Sequence, residues 1–226
     1  MSALPLVIAA LLAADADGDG DGDGDGFRKV DEAEGVRIEE REVKGSSWAE
    51  LRFTATVEET ADRLCAAAFS DGKFDAKEPG LKTREVLEEK DHERITHDVI
   101  NTPVFSDREY VAQTRREKKD DGSCEVRVGL ANDRVDPIDG LVRVPKLGVL
   151  WRFTPSEAGK TKITYQIHTE AGGSIPAFMA TGSRRKLGVQ WLKLIVDRAK
   201  ALPSSPPPAV PDAGRALREE KAPAAP

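Results

Sequence analysis

The chain has 226 residues, with 34 basic and 40 acidic side chains and a formal net charge of −6. Six of the acids (Asp15, Asp17, Asp19, Asp21, Asp23 and Asp25) precede the first basic residue, Arg28, so the rest of the chain is neutral. That balance excludes the one-sided basic field that nucleic-acid binding needs. Two cysteines, Cys65 and Cys124, are too few for a disulfide-dense scaffold or a four-cysteine zinc site. They are either two buried thiols or, in an exported protein, one bridge.

Leu4 to Ala14 is an apolar run too short to span a bilayer as a helix. Ala14-Asp15-Ala16 follows it and resembles a signal-peptidase site, so residues 1–16 read as a signal peptide. No Lys or Arg precedes the run, leaving only the amino terminus to supply positive charge. The expectation is export, periplasmic or secreted; without a working signal the protein is cytoplasmic. Residues 17–34 begin with an Asp-Gly repeat that cannot bury apolar surface and predict a flexible linker. Asp21, Asp23, Asp25 and Glu32 fall at the spacing of a calcium loop. The context is poor, because no helix enters the loop and Arg28 sits at its usually apolar eighth position. Coincidence is the plainer reading, and no metal or other cofactor is expected. At the other end, residues 203–226 carry seven of the 14 prolines and predict a disordered Pro/Ala-rich tail.

Residues 35–202 remain as one domain. Val36 to Val43 and Trp48 to Val57 alternate apolar with polar residues around the turn Lys44-Gly45-Ser46-Ser47, which predicts a hairpin. Glu58 to Phe69 has helical periodicity. Strands are predicted over Thr83 to Glu89, Arg94 to Ile100, Glu109 to Arg116, Cys124 to Leu130, Leu141 to Phe153 and Lys162 to Thr169. Turns fall at Asp120-Asp121-Gly122 and Glu157 to Lys160. A long helix then runs from an N-cap at Ser174 to about Leu202, with Phe178, Met179, Leu187, Trp191, Leu194, Ile195 and Ala199 on one face and Gly182 and Gly188 inside it. Strands joined by short turns, with one long helix last, indicate an α+β fold whose sheet is antiparallel.

Four stretches, in order, resemble a known family. They are Gly35 to Ile38 with Arg41-Glu42-Val43 and Gly45-Ser46-Ser47; Asp107 to Val111 with the turn Asp121-Gly122-Ser123; Val142-Arg143 with Trp151 to Pro155; and Thr164 to Ile167 with Gly172 to Pro176. Together they are similar to START domains, the steroidogenic-acute-regulatory-protein-related lipid-transfer family. The resemblance spans residues 35–201 and implies a helix-grip fold, in which a curved antiparallel sheet wraps the long C-terminal helix around a cavity for one lipid. It further implies carriage of that lipid between membranes, transient membrane contact, a monomer, and Val135 to Gly140 as a gate.

Some members use an acid–arginine pair inside the cavity. Asp98 stands where the acid would be, but Thr114 stands where the arginine would be. Arg143, on an otherwise apolar strand, is either exposed or buried and paired, with Asp98 or with a lipid headgroup. Trp151, Phe153, Tyr165, Phe178, Met179 and Trp191 are the remaining candidates for the ligand site, some of which are core. The alternatives are a lipid-sensing module and a helix-grip enzyme of cyclase or hydrolase type. Against the enzyme, the sequence has no Gly-x-Ser-x-Gly elbow, Walker loop or His-Glu-x-x-His, and the neighbours His97 and Asp98 point to opposite faces of a strand. No catalytic residue is expected.

Overall fold

The alternating segments form one large sheet, because period-two patterning gives each strand an apolar face that only a common core can bury. A computed structural model describes residues 24–69 and 75–203. The expected signal peptide, the Asp-Gly residues up to 23 and the tail from 204 lie outside the described residues. Ten strands are present: β1 (Arg28–Ala33), β2 (Val36–Arg41), β3 (Glu50–Val57), β4 (Leu81–Lys90), β5 (Glu93–Ile100), β6 (Arg108–Lys118), β7 (Cys124–Leu130), β8 (Val142–Arg143), β9 (Lys146–Pro155) and β10 (Thr161–Glu170). Their order is β1-β2-β3-β10-β9-β7-β6-β5-β4, antiparallel throughout except for short β8, which pairs parallel with β6. Helix α1 (Ala61–Phe69) and helix α2 (Ala177–Ala201) complete the α+β helix-grip architecture. Neither helix is long and apolar enough to cross a membrane.

Three local expectations are corrected. The linker predicted over 17–34 contains a strand, β1, at its end. Phe27 anchors it: the ring is buried, with the guanidinium groups of Arg41 and Arg52 over it at 4.4 and 4.2 Å. The strand predicted over 141–153 is two strands, broken at Val144-Pro145. Pro145 has no N–H to give a ladder, and there the chain leaves β6 to lie between β7 and β10. Ser174 does not cap α2, which begins after Pro176 with no side-chain cap bond.

The sheet's concave face packs on both helices. Across β3, β10 and β9, the paired residues Phe53, Tyr165 and Trp151 form a stacked row, with ring centroids 5.3 and 3.9 Å apart. Gly188 of α2 lies directly on the Phe53 ring, so close that a Cβ there would come within 2.0 Å of it. The smallest residue therefore faces the sheet, and this sets the rotation of the helix. Its buried stripe is Gly188, Leu192, Ile195 and Ala199 with Val189 and Val196, while Leu187 is turned outward. Helix α1 lies beside this half of α2, and Cys65 on α1 is disulfide-bonded to Cys124 on β7, with Cα atoms 6.0 Å apart. Of the two readings the sequence left open, the bridge is the one found.

Two expectations follow. Gly188→Ala forces the helix off Phe53 and should cost ~1–3 kcal/mol. Gly182→Ala, with nothing within 4 Å of its added methyl, should instead gain about 0.5–1 kcal/mol of helix propensity; thermal melts of the two variants check the contrast. Opening the 59-residue Cys65–Cys124 loop, by reductant or as a double Ser variant, should remove about 4 kcal/mol and lower Tm by roughly 10 °C.

Candidate functional site

Helix α2 buries residues along only part of its length; in its first half the contacts to the sheet side include Arg184 to the Ala49 carbonyl at 2.8 Å and Arg185 to Glu40 at 2.9 Å. All its buried residues lie from Gly188 onward; residues 177–187 contribute none. Phe178 is 79% exposed and Met179 58% exposed. This half is nevertheless held at its start. The turn before it uses Gly172 and Gly173 at positive φ, and a side chain at Gly172 would meet Pro145 at 3.0 Å and the Arg143 carbonyl oxygen at 3.2 Å. Arg108 donates to the carbonyls of Ala171 and Gly172, each at 3.3 Å, and to that of Ser106. The first half of α2 is thus an arch, anchored at Gly172 and again at Gly188.

Strand register identifies what faces it. Continuing along the face that carries Tyr165 and Trp151, the paired residues are Ile167 and Val149, then Val128, then Leu130 with Ala112, and beyond them Val86. Of these, Ile167, Val149, Val128 and Leu130 are half-buried and Val86 is exposed. These side chains give that part of the sheet a partly exposed apolar strip.

The far edge of the sheet is closed onto α2 by charge. Asp98, on the concave face of β5, takes a bidentate pair of bonds from Arg84 of β4 at 2.8 and 2.7 Å. Arg84 reaches Glu78 at 2.9 Å, Glu78 takes Arg198 of α2 at 2.8 Å, and Arg198 also holds Asp75 at 2.7 Å. Five charges of alternating sign thus join β5, β4, the 75–78 segment and the last turns of the helix. Burial, then the neighbouring Asp98 charge, pushes the Tyr110 phenol well above its ordinary value.

Arg143 does not pair with Asp98. It lies on the convex face, where it bonds Glu109 at 2.9 and 3.0 Å and the carbonyls of Asn132 and Val135 at 2.6 Å and of Asp136 at 3.1 Å. The 135–140 segment, expected as a gate, is thereby tied to the outside of the sheet, away from the space under α2. Burial alone would push the Glu109 carboxyl up, but hydrogen bonds from Arg143, His97 and the Ile138 amide outweigh it and hold the carboxyl below its ordinary value. Trp151, Phe153 and Tyr165 belong to the concave core and Trp191 packs against it. Phe178 and Met179 face solvent at the start of the arch. Of the calcium-loop residues, Asp21 and Asp23 lie outside the described residues, Asp25 pairs with Arg52 and Glu32 with Lys29. Among the described residues no cluster of His, Cys, Asp or Glu could hold a metal ion.

One serine, histidine and acid do meet, at Ser46, His168 and Glu170. Ser46 Oγ bonds Glu170 at 2.6 Å rather than only the imidazole, whose Nε2 lies 3.3 Å from that oxygen and 3.1 Å from the Trp48 carbonyl. A nucleophile and base need the opposite arrangement.

A curved antiparallel sheet gripping a long helix over half its length, with an apolar face under the other half, defines a helix-grip protein. Its particular form is the START fold. A STAR-related lipid transfer protein of Xanthomonas axonopodis superposes with a TM-score of 0.70 at 28% identity, over 78% of this chain and 99% of that one. Human StAR-related lipid transfer protein 5 gives 0.69 at 16% identity, over 79% and 88%. No family model matches. An uncharacterized protein of Pseudomonas aeruginosa is 32% identical over 96 residues, 42% of this chain, so the match spans about half the length of that relative, 48%.

Glu109, Glu39 under Arg52 and Arg37, and Glu125 under Arg152 and Arg127 are all held below the ordinary carboxylate value in spite of burial. Each contributes stability that is complete above the unfolded value of about 4.3 and is lost as pH falls through the lower folded value. Melting temperature should therefore fall as pH drops below about 4.3. Glu109→Gln, which leaves Arg143 without its carboxylate, should cost about 3 kcal/mol at neutral pH and flatten that acid limb.

Proposed function

We propose that the protein binds a single lipid, or another hydrophobic molecule of that size, between the concave face of the sheet and residues 177–187 of α2, and carries it between membranes. The observation that carries this reading is the arch itself, a helix fixed at both ends over an apolar surface it does not cover. Each methylene of a lipid chain entering that space leaves water with a gain of ~0.8 kcal/mol, so carriage needs no catalytic group. The lipid-transfer proteins that share the fold support the same reading.

The end of the domain where α2 begins is the membrane-facing end. Arg108 gathers Ser106, Ala171 and Gly172 there, and Glu109 beside it takes the amide of Ile138. Exposed apolar side chains cluster on these segments: Phe105, Ile138, Phe178, Met179 and Val104, which is 98% exposed. Val104 also adopts φ 74°, a strained conformation for a β-branched residue. A protein in water gains nothing from such a rim, whereas a membrane surface does. The Cys65–Cys124 bridge supports an oxidising compartment, hence an exported protein, periplasmic or secreted.

Organic extraction of the natively purified protein, followed by mass spectrometry, should return about one lipid per chain, and the protein should move labelled lipid between vesicles. Val104→Asp with Phe178→Asp should slow transfer at least tenfold while Tm stays within about 2 °C, because both residues are exposed. A protein that is empty and takes up no added lipid sinks the reading.

A further inference from the structure

One guanidinium on the gripped side of α2 is left without a carboxylate. Arg184 stands one turn before Gly188, and the buried stripe of Gly188, Leu192, Ile195 and Ala199 continues back through it at helical spacing. Its Nη2 donates to the Ala49 carbonyl at 2.8 Å, and its guanidinium carbon lies 5.4 Å from the centre of the buried Trp48 ring. Burial pushes its pKa down, with the Tyr165 phenol and Glu40 acting against that. Glu40, however, is already held by Arg185 and by Arg28, each at 2.9 Å. Arg185, the next residue, has a donor to spare as well: its buried Nε has no hydrogen-bond partner among the described residues.

Elsewhere in the fold a sheltered guanidinium is well satisfied. Arg52, Arg84, Arg143 and Arg198 each hold a carboxylate, and Arg108 is spent on three backbone carbonyls. Arg184 has one carbonyl for the five N–H donors that a guanidinium carries. Its place is fixed by its neighbours. Ala49 immediately precedes β3, and Leu51 of β3 pairs with Ile167 of β10. The guanidinium therefore sits at the β10 end of the apolar strip that runs from Ile167 through Val149 and Val128 to Leu130.

We infer that Arg184 receives a carboxylate at the end of the ligand, so that the cargo is a singly charged carboxylate amphiphile with its chain along that strip. This rests on the carrier reading above and names its ligand class. A planar carboxylate matches the guanidinium fork with two parallel bonds, and pairing the two offsets the cost of keeping the cation beside an apolar space. A carboxylate also ends its molecule, which suits what lies beside the guanidinium. Trp48 is buried there, and its turn is closed by Ser46, whose Oγ accepts from the Trp48 amide at 3.0 Å and bonds Glu170 at 2.6 Å. A phosphodiester continues into a headgroup, for which that turn would have to open.

The test uses the full-length protein, freed of lipid on a hydrophobic resin, and three labelled probes: laurate, dodecanol and a short-chain phosphatidylglycerol soluble as a monomer. Laurate and dodecanol share a chain and differ in the charged end. Equilibrium dialysis should give laurate a Kd at least about tenfold below that of either other probe. Arg184→Gln should weaken laurate roughly tenfold or more and leave dodecanol within about twofold, with the ligand-free Tm within about 2 °C. Arg184→Lys, which keeps the charge without the fork, should fall between. The contrast between laurate and dodecanol on the unaltered chain decides the matter if the Gln variant folds poorly. Equal affinity for those two, or laurate binding that ignores Arg184→Gln, overturns this inference and leaves carriage intact. Phosphatidylglycerol that binds as tightly as laurate and depends on Arg184 overturns the carboxylate in favour of a phosphodiester. A chain that binds none of the three and takes up no lipid from vesicles overturns both readings.

Discussion

The contact between Gly188 and the Phe53 ring governs how the rest of the molecule is spaced. With no Cβ at 188, helix and sheet meet backbone to ring, and the buried stripe that follows, Leu192, Ile195, Val196 and Ala199, packs at the same depth. Two further ties keep that half in place. The Cys65–Cys124 bridge fixes α1 to the sheet beside it, and Arg198 joins the far edge of the sheet through Glu78 and Arg84. Toward its start the same helix meets a different constraint, the double-glycine turn clasped by Arg108. A helix is stiff over its dozen or so residues between two such points, so it cannot sag to fill the gap. The open apolar surface follows from where the helix is pinned, not from any shortage of apolar residues beneath it.

The two faces of the sheet handle charge differently. On the convex face, three buried carboxylates are each covered by arginines: Glu39 by Arg52, Glu109 by Arg143 and Glu125 by Arg152. These pairs tie neighbouring strands together and, at Glu109, tie down the 131–141 segment. On the concave face, Asp75, Arg198, Glu78, Arg84 and Asp98 form one chain, and Arg94 and Arg116 lie separately over the Phe69 ring at the end of α1. The division matters because an unpaired charge beneath α2 would have to be desolvated whenever a hydrophobic ligand entered. The Asp75–Asp98 chain sits at the seam, where it closes the sheet on the helix.

Much of the architecture was legible because strands betray themselves by parity. The hairpin of β2 and β3, strands β5 to β7 and β10 all fall where alternation put them. Elements without that signal were not visible. β1 has no apolar alternation and exists because Phe27 finds two guanidinium groups contributed by β2 and β3. The break at Pro145 was present as a residue but needed the sheet order to become a strand change. Asp98 was singled out from the sequence, and its partner in the fold, Arg84, was not. A straight register from the β4–β5 turn, where Lys90 faces Glu93, would set Glu85 opposite Asp98, a pair of like charges. The irregularity between Val86 and Glu88 moves Arg84 there instead. One extra residue decides the partner, and a bulge of that kind leaves no mark in composition or periodicity. Arg143 was misjudged for a related reason: parity fixes a residue's face only once its strand is known to pair with β6 rather than β7.

The same geometry couples ligand and stability. Ile167, Val149, Val128 and Leu130 are only half-buried, so a hydrophobic molecule that covered them would add burial to the fold. A molecule that fills the space binds the folded chain and not the unfolded one, and stabilises it by mass action. On the proposed reading this gain would not require the helix to close. On the same reading, exchange would be limited at the exposed apolar residues Val104, Phe105 and Phe178. A barrier to release that is lowest there would let a carrier discharge where its exposed apolar side chains meet a membrane and keep its cargo in water.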